Sequence, residues 1–227
     1  MATFEIIEGK PGQGKSLYTA RLARKLITRN HKIFEKTGLF RPLYSNIKFS
    51  IEFENWAGDF LKYWVSTADV VSLRNSDLLW DEIATELDSR NFANLSEELK
   101  RFLSQYRKRG VDIYANTQDF SMIDARARLM ITRVATLTKL FGSSDPSITK
   151  PKIKRIWGLV IIRDLQDILA DNPTKKKYNI FFSWFFIERQ DIEIYDTTQD
   201  IPLSPPLPLR KEVRICPEDG FSRVRYF

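Results

Sequence analysis

Eight residues near the amino terminus, Gly9-Lys10-Pro11-Gly12-Gln13-Gly14-Lys15-Ser16, fit the pattern G-x-x-x-x-G-K-[ST] without a mismatch. They follow a short apolar run, Phe4-Glu5-Ile6-Ile7, and precede a segment with helical periodicity. A strand feeding a glycine-rich turn that opens a helix aims several backbone N–H groups and a positive helix end at one point, which suits a polyphosphate. Lys15 would reach the β- and γ-phosphates, and the Ser16 hydroxyl would ligate Mg²⁺. The segment Gly9 to Leu17 is therefore the candidate nucleotide cradle. A glycine turn of purely structural use would leave the Lys-Ser pair without a reason.

A second cluster of chemistry lies some seventy residues on. Leu78-Leu79-Trp80-Asp81-Glu82 is an apolar run ending in two carboxylates. Mg²⁺ prefers a carboxylate, a hydroxyl and phosphate oxygens, with water completing its shell. Asp81 would hold the metal opposite Ser16, and Glu82 would orient or deprotonate an attacking water. The same pair also suits a helix N-terminus, where the dipole favours negative charge. Next, Val111-Asp112-Ile113-Tyr114-Ala115-Asn116-Thr117-Gln118 is an apolar strand with polar residues at its end. If this strand lies between the other two, Gln118 or Thr117 points at the γ-phosphate. Gln118 is the preferred sensor, with Thr117 and Asn116 behind it. Arg126, Arg128 and Arg133 are candidates to stabilise transition-state charge in a neighbouring subunit. Arg128 is the first choice and Arg126 the alternative, although each also suits the surface of a basic protein.

These groups need elements to position them. The patterns predict strands at 3–8, 43–49, 76–81 and 111–115, with a short one at 69–73. They predict helices at 15–30, 53–65, from Ile83, at 96–109 and at 121–128. Residues 131–141 and 153–164 read as an antiparallel pair, with more strand at 178–188 and 191–195. The order implies an α/β fold, with a mainly parallel central sheet, helices on both faces and a β extension at its carboxyl end. Ligands of such sheets sit at the carboxyl ends of the strands, where the polar motifs above fall. The expected division is a domain over 1–200 and a Pro-rich arm with a tail over 201–227.

Composition bounds the rest. The formal charge of +7 leans towards a polyanionic partner, nucleic acid or an anionic membrane. One cysteine, Cys216, excludes an intrachain disulfide, and one histidine, His31, excludes a histidine-cluster metal site and a Ser-His-Asp triad. His31 reads as a surface residue at a helix end. No signal peptide and no stretch of about 18 apolar residues is visible. The aromatic run Ile180 to Ile187 reads as buried sheet.

With these residues assembled, the chain resembles the Zot (zonular occludens toxin-like) family, which includes the filamentous-phage assembly ATPases. The resemblance rests on Glu8 to Ser16, on Leu43-Tyr44-Ser45-Asn46-Ile47, on Asp81-Glu82 and on Tyr106-Arg107-Lys108-Arg109-Gly110-Val111-Asp112-Ile113 running into Thr117-Gln118. Asp124 with Arg128, and Tyr195-Asp196-Thr197, are also similar. It implies an additional-strand P-loop ATPase related to the FtsK/HerA motors, using ATP and Mg²⁺ to extrude or package a viral genome. A homo-oligomeric ring is the expected form, with DNA, more often single-stranded, as substrate and capsid or membrane assembly proteins as partners. Filamentous-phage members usually carry a transmembrane helix after the ATPase domain, and this chain shows none. They often carry a histidine near the basic turn, where Lys108 or Arg109 stands here. A motor without its own anchor suits loading DNA into a preformed shell, or docking on a separate membrane partner. The host cytoplasm is the expected location, with peripheral attachment to the inner membrane or association with the virion as variants.

Candidate DNA contacts are Arg107, Lys108 and Arg109, then Lys150, Lys152, Lys154 and Arg155, then Lys175-Lys176-Lys177. Each cluster also suits a solvated turn. Two other functions compete: a nucleotide-binding scaffold or host-interaction protein, and a small-molecule NTP kinase. Asp81-Glu82 and the basic surface argue against the kinase.

Overall fold

The computed structural model describes residues 2–88, 95–141, 156–164 and 180–187, together with Asp191 and Ile194. Strand β1 (Phe4–Glu8) is buried at four of its five positions, as a central strand covered on both faces must be. It runs through the glycine turn into helix α1 (Lys15–Thr37), whose buried Leu17, Ala20, Ala23, Leu26 and Ile27 recur at helical spacing. Strand β2 (Leu43–Ser45), helix α2 (Ile51–Ala57), a 3₁₀ turn over Gly58–Phe60 and strand β3 (Leu61–Tyr63) follow. Helix α3 (Thr67–Val71) precedes strand β4 (Asp77–Trp80), every residue of which is buried. The one-turn helix α4 (Ala84–Leu87) comes next, then helix α5 (Glu97–Gln105), strand β5 (Asp112–Thr117) and the short helix α6 (Ala125–Arg128). Three long strands follow: β6 (Arg133–Phe141), β7 (Ile156–Asp164) and β8 (Ile180–Ile187).

The strands form a sheet in the order β3-β2-β4-β5-β1-β6-β7-β8. From β3 to β6 every pairing is parallel, while β6-β7 and β7-β8 are antiparallel. Strand β5 therefore lies between β1 and β4, the order on which a sensor at its end depends. One face of the sheet packs Phe4, Ile6, Leu78 and Trp80 against Leu99, Phe102 and Leu103 of α5. The other packs Leu43 and Leu79 against Ala20, Ala23 and Ile27 of α1. Among the described residues, no helix is long and apolar enough to cross a membrane.

Several sequence expectations change. The parallel part of the sheet extends past residue 118, because β6 pairs with β1 in parallel before it meets β7. Residues 53–65 are not one helix. The chain breaks at Gly58, and Leu61–Tyr63 joins β2 as the edge strand. No strand forms at 69–73: residues up to Val71 belong to α3, which the Ser66–Asp69 capping box starts, and the helix ends at Ser72. The expected strand at 191–195 also fails: Asp191 and Ile194 are helical. Helix α1 continues to Thr37, so His31 lies inside it rather than at its end. Its ring is half-buried, 4.2 Å from that of Phe60. Strand β8 is the edge strand of the described sheet, with Phe185 and Ile187 buried and Trp184 exposed, so the run is not buried throughout. The arm and tail over 201–227, Cys216, and the clusters at 150–155 and 175–177 lie outside the described residues.

Candidate nucleotide site

The carboxyl end of the parallel strands brings together the glycine turn, Asp81-Glu82 and the polar end of β5. The register pairs Glu8 with Thr117 and Trp80 with Ala115, so Asp81 stands level with Asn116 beside the phosphate loop. Within the loop, Gly12 and Gly14 take φ of 79° and 85°, a region that side chains disfavour. The loop is braced from outside, since the Lys139 N–H donates to Gln13 Oε1 at 2.8 Å. Tyr18 N–H bonds back to Gly14 O at 2.9 Å. The N–H groups of Gly14, Lys15, Ser16 and Leu17 have no acceptor among the described residues, so four donors converge at the start of α1. Leu17 contributes main chain only, because its side chain is buried with Ile7, Ala135 and Leu137.

The Lys15 ammonium donates to the carbonyls of Gly9 and Lys10. Burial holds its pKa below the ordinary lysine value, and the carboxylates of Asp81 and Glu82 oppose that shift. Those carboxylates are therefore within electrostatic reach of the phosphate loop.

Asp81 is held by two asparagines. Asn46, just past β2, accepts from the Asp81 N–H at 2.8 Å and donates to its carbonyl at 3.2 Å. Asn116 Nδ2 donates to Asp81 Oδ1 at 2.8 Å. The Asn116 side-chain oxygen Oδ1 lies 3.0 Å from the Thr19 hydroxyl, which is also 3.0 Å from Lys15 O. A hydrogen-bonded chain thus joins Asp81 to the first turn of α1. It leaves the second Asp81 oxygen without a partner among the described residues. That oxygen and the half-buried Ser16 hydroxyl are hard-oxygen groups of the kind Mg²⁺ takes beside phosphates and water.

Glu82 is exposed and has φ of 51°, a rare value for a residue with a side chain. Its carbonyl accepts from Thr85 N–H and from the Thr85 hydroxyl, which fixes this turn. The strained residue falls next to Asp81.

Gln118 follows β5 at the same end and is exposed. Thr117 is buried, with its hydroxyl on Asp119 O at 3.1 Å. Asn116, one of the two sensor candidates ranked behind Gln118 by sequence, makes the direct link to Asp81. Periodicity could not separate it from its neighbours, since that requires knowing which side chain faces β4. Asn46 was visible only as part of the resemblance.

The arginines are spread out. Arg126 pairs with Asp124 at 3.0 Å. Arg128 lies 5.8 Å over the Phe120 ring, and its buried Nε has no hydrogen-bond partner. Arg133 opens β6 at the end of the sheet away from the phosphate loop. The turn Arg107-Lys108-Arg109 precedes β5, also at that far end. Arg107 stacks on Tyr106, and Arg109 stacks on Phe102 and donates to Val71 O.

The far end also holds a buried ion network that the sequence reading missed. Asp77 is fully buried and takes Arg41 at 2.8 Å, Arg29 at 2.7 Å and Asn30 at 2.7 Å. Arg41 also reaches Asp112 at 2.8 Å and the carbonyls of Ser76 and Gly110 at 2.9 Å each. The network ties α1, β4 and β5 together opposite the nucleotide end.

No protein-family model matches the chain, and no curated protein matches it. Solved structures do. The N-terminal domain of zonular occludens toxin from Neisseria meningitidis is 19% identical, with a TM-score of 0.52, over 86% of this chain and 100% of that one. A genome packaging NTPase from Sulfolobus turreted icosahedral virus 2, in complex with AMP, is 10% identical, with a TM-score of 0.48, over 79% of this chain and 96% of that one. The flagellar accessory protein FlaH from Methanocaldococcus jannaschii is 15% identical, with a TM-score of 0.44, over 80% and 90%. The chain has the mainly parallel P-loop NTPase fold expected from its resemblance to the Zot family, with antiparallel strands added at its carboxyl side.

Proposed function

Taking that fold as premise, we propose that the chain is an ATP-hydrolysing motor that translocates DNA, single-stranded by preference, during viral genome packaging or virion assembly. The observation that carries this reading is the Asp81-Asn116-Thr19 chain, which ties the acidic strand end to the helix that begins at the phosphate loop. In this reading the N–H groups of Gly14 to Leu17 and the Lys15 ammonium bind the phosphates. Ser16 and Asp81 hold Mg²⁺, which neutralises charge on the triphosphate when bound. Glu82 accepts the proton of the attacking water and aligns it. Gln118 senses the γ-phosphate from the end of β5. Arg128, or else Arg126, stabilises transition-state charge at the site of a neighbouring subunit in a homo-oligomeric ring.

The basic turn Arg107-Lys108-Arg109 remains a candidate DNA contact, as do Lys152, Lys154 and Arg155. Capsid or membrane assembly proteins are the expected partners, reached by the Pro-rich arm at 202–208, in the host cytoplasm or at its membrane. The test is ATP turnover by the purified chain with and without single- and double-stranded DNA, beside Glu82→Gln. We expect DNA-stimulated turnover that drops by at least about a hundredfold in the variant while ATP binding persists. Near-normal turnover by Glu82→Gln would remove Glu82 from this role. Binding without turnover in the native chain would favour the scaffold.

A further inference from the structure

The charged face of α1 does more than meet solvent. Arg24, Lys25, Arg29, Lys32 and Lys36 line one wall of a groove of about 1210 Å³, with Trp56 of α2 on the other. Spacings of four, three and four residues put Lys25, Arg29, Lys32 and Lys36 on one stripe of the helix, with Arg24 beside its start. At ~1.5 Å per residue the charged wall runs about 18 Å, from Arg24 to Lys36. The groove lies away from the phosphate loop, along the same rigid helix.

Its charge is not internally balanced. Arg24 pairs with Asp191 and Arg29 with Asp77. Lys25, Lys32 and Lys36 form no ion pair among the described residues. Glu52 is the one acid lining the groove among those residues. Cations clustered along a concave wall focus a positive potential that a polyanion relieves. The opposite wall adds a second feature. Trp56 is 49% exposed, yet its ring is fixed against Phe53 at 5.4 Å and His31 at 5.9 Å. An open, immobilised indole beside a row of lysines combines a stacking platform with a track for phosphates. A duplex hides its base faces, and a membrane surface does not enter a groove.

We propose that this groove binds single-stranded nucleic acid, with backbone phosphates on Lys25, Lys32 and Lys36 and a base stacked on Trp56. It deepens the motor reading and rests on it for the identity of the strand. Helix α1 carries the phosphate loop at its first turn and this groove beyond it, so a nucleotide-driven shift of the helix would move the bound strand.

The test is fluorescence anisotropy of a labelled oligothymidine with the full chain, without nucleotide, between about 50 and 200 mM salt. The triple variant Lys25→Glu, Lys32→Glu, Lys36→Glu should bind more than about tenfold more weakly, with a log K against log salt slope shallower by about 2. Trp56→Ala should lose at least about fivefold with its salt slope unchanged, and Trp56→Phe should recover most of that loss. Near-UV circular dichroism checks that each variant folds. No binding by the native chain, native affinity in either variant, or equal binding of a duplex that is indifferent to Trp56→Ala would overturn the proposal. So would loss of anionic phospholipid vesicle binding in the triple variant with oligothymidine binding intact. Turnover is measured separately. Binding in the groove without any ATP hydrolysis would sink the motor and leave the groove. DNA-stimulated hydrolysis together with native oligothymidine affinity in the triple variant would do the reverse.

Discussion

Replacing Asn116 tests whether the two halves of the site act as one. Its amide is 3% exposed, donates to Asp81 Oδ1 at 2.8 Å and meets the Thr19 hydroxyl at 3.0 Å. Asn116→Ala removes one hydrogen bond to a charged acceptor, worth about 1.5–3 kcal/mol, and one neutral bond worth about 1 kcal/mol. The Thr19 hydroxyl keeps Lys15 O, so the second loss is partly recovered. We expect about 2–3 kcal/mol less stability in urea denaturation. If the bond to Asp81 keeps that carboxylate aimed in the transition state, the same 1.5–3 kcal/mol lowers turnover by roughly 10- to 150-fold. ATP binding should change far less, because the cradle of Gly14 to Leu17 is untouched. Asn116→Asp sets a second carboxylate against Asp81 and should be worse than alanine in both assays. Native turnover in Asn116→Ala, with the stability loss present, would show that Asp81 needs no such support. An aspartate variant no worse than alanine would refute the contact itself.

Further outcomes follow from other contacts. Lys15→Ala should abolish tight ATP binding in a fluorescent-nucleotide titration while leaving the melting temperature near native, since its ammonium holds only loop carbonyls. Arg41→Ala should cost about 3 kcal/mol in urea denaturation, the lower end for a broken buried pair because Arg29 and Asn30 still hold Asp77. Burial raises the Glu5 carboxyl above 4.5, with Arg133 opposing. The native state then keeps a proton that the unfolded chain releases, so stability falls as pH rises above 4.5 until the native pKa is passed. Glu5→Gln should remove that slope and raise the neutral-pH melting temperature; an unchanged pH profile would contradict the burial argument.

Contiguous chemistry is legible in one dimension. Gly9 to Ser16, the apolar strand before it and the helix after it are neighbours in sequence, so local geometry alone aims their N–H groups. Asp81-Glu82 at the end of Leu78-Leu79-Trp80 is legible for the same reason. Local reading failed where a pattern was ambiguous or its partner was remote. The apolar spacing of 53–65 suits a helix, but β2 offers Leu61–Tyr63 an edge to pair with. The run at 69–73 suits a strand, but the Asp69 carboxylate caps the start of α3, which takes up the run as far as Val71.

The sequence by itself determined the anion cradle, the acidic pair and the class of the sheet, because each depends on residues a few positions apart. Only the tertiary structure decided which of three polar residues after Ala115 touches Asp81, and that Asp77 gathers Arg29 and Arg41 far from the phosphate loop. It also turned the outer face of α1 into the wall of a groove, by setting Trp56 opposite its lysines. Those outcomes depend on which strands lie side by side and in what register, and pairing across as many as 128 residues, as between Glu5 and Arg133, is set by packing of the whole core rather than by any local pattern.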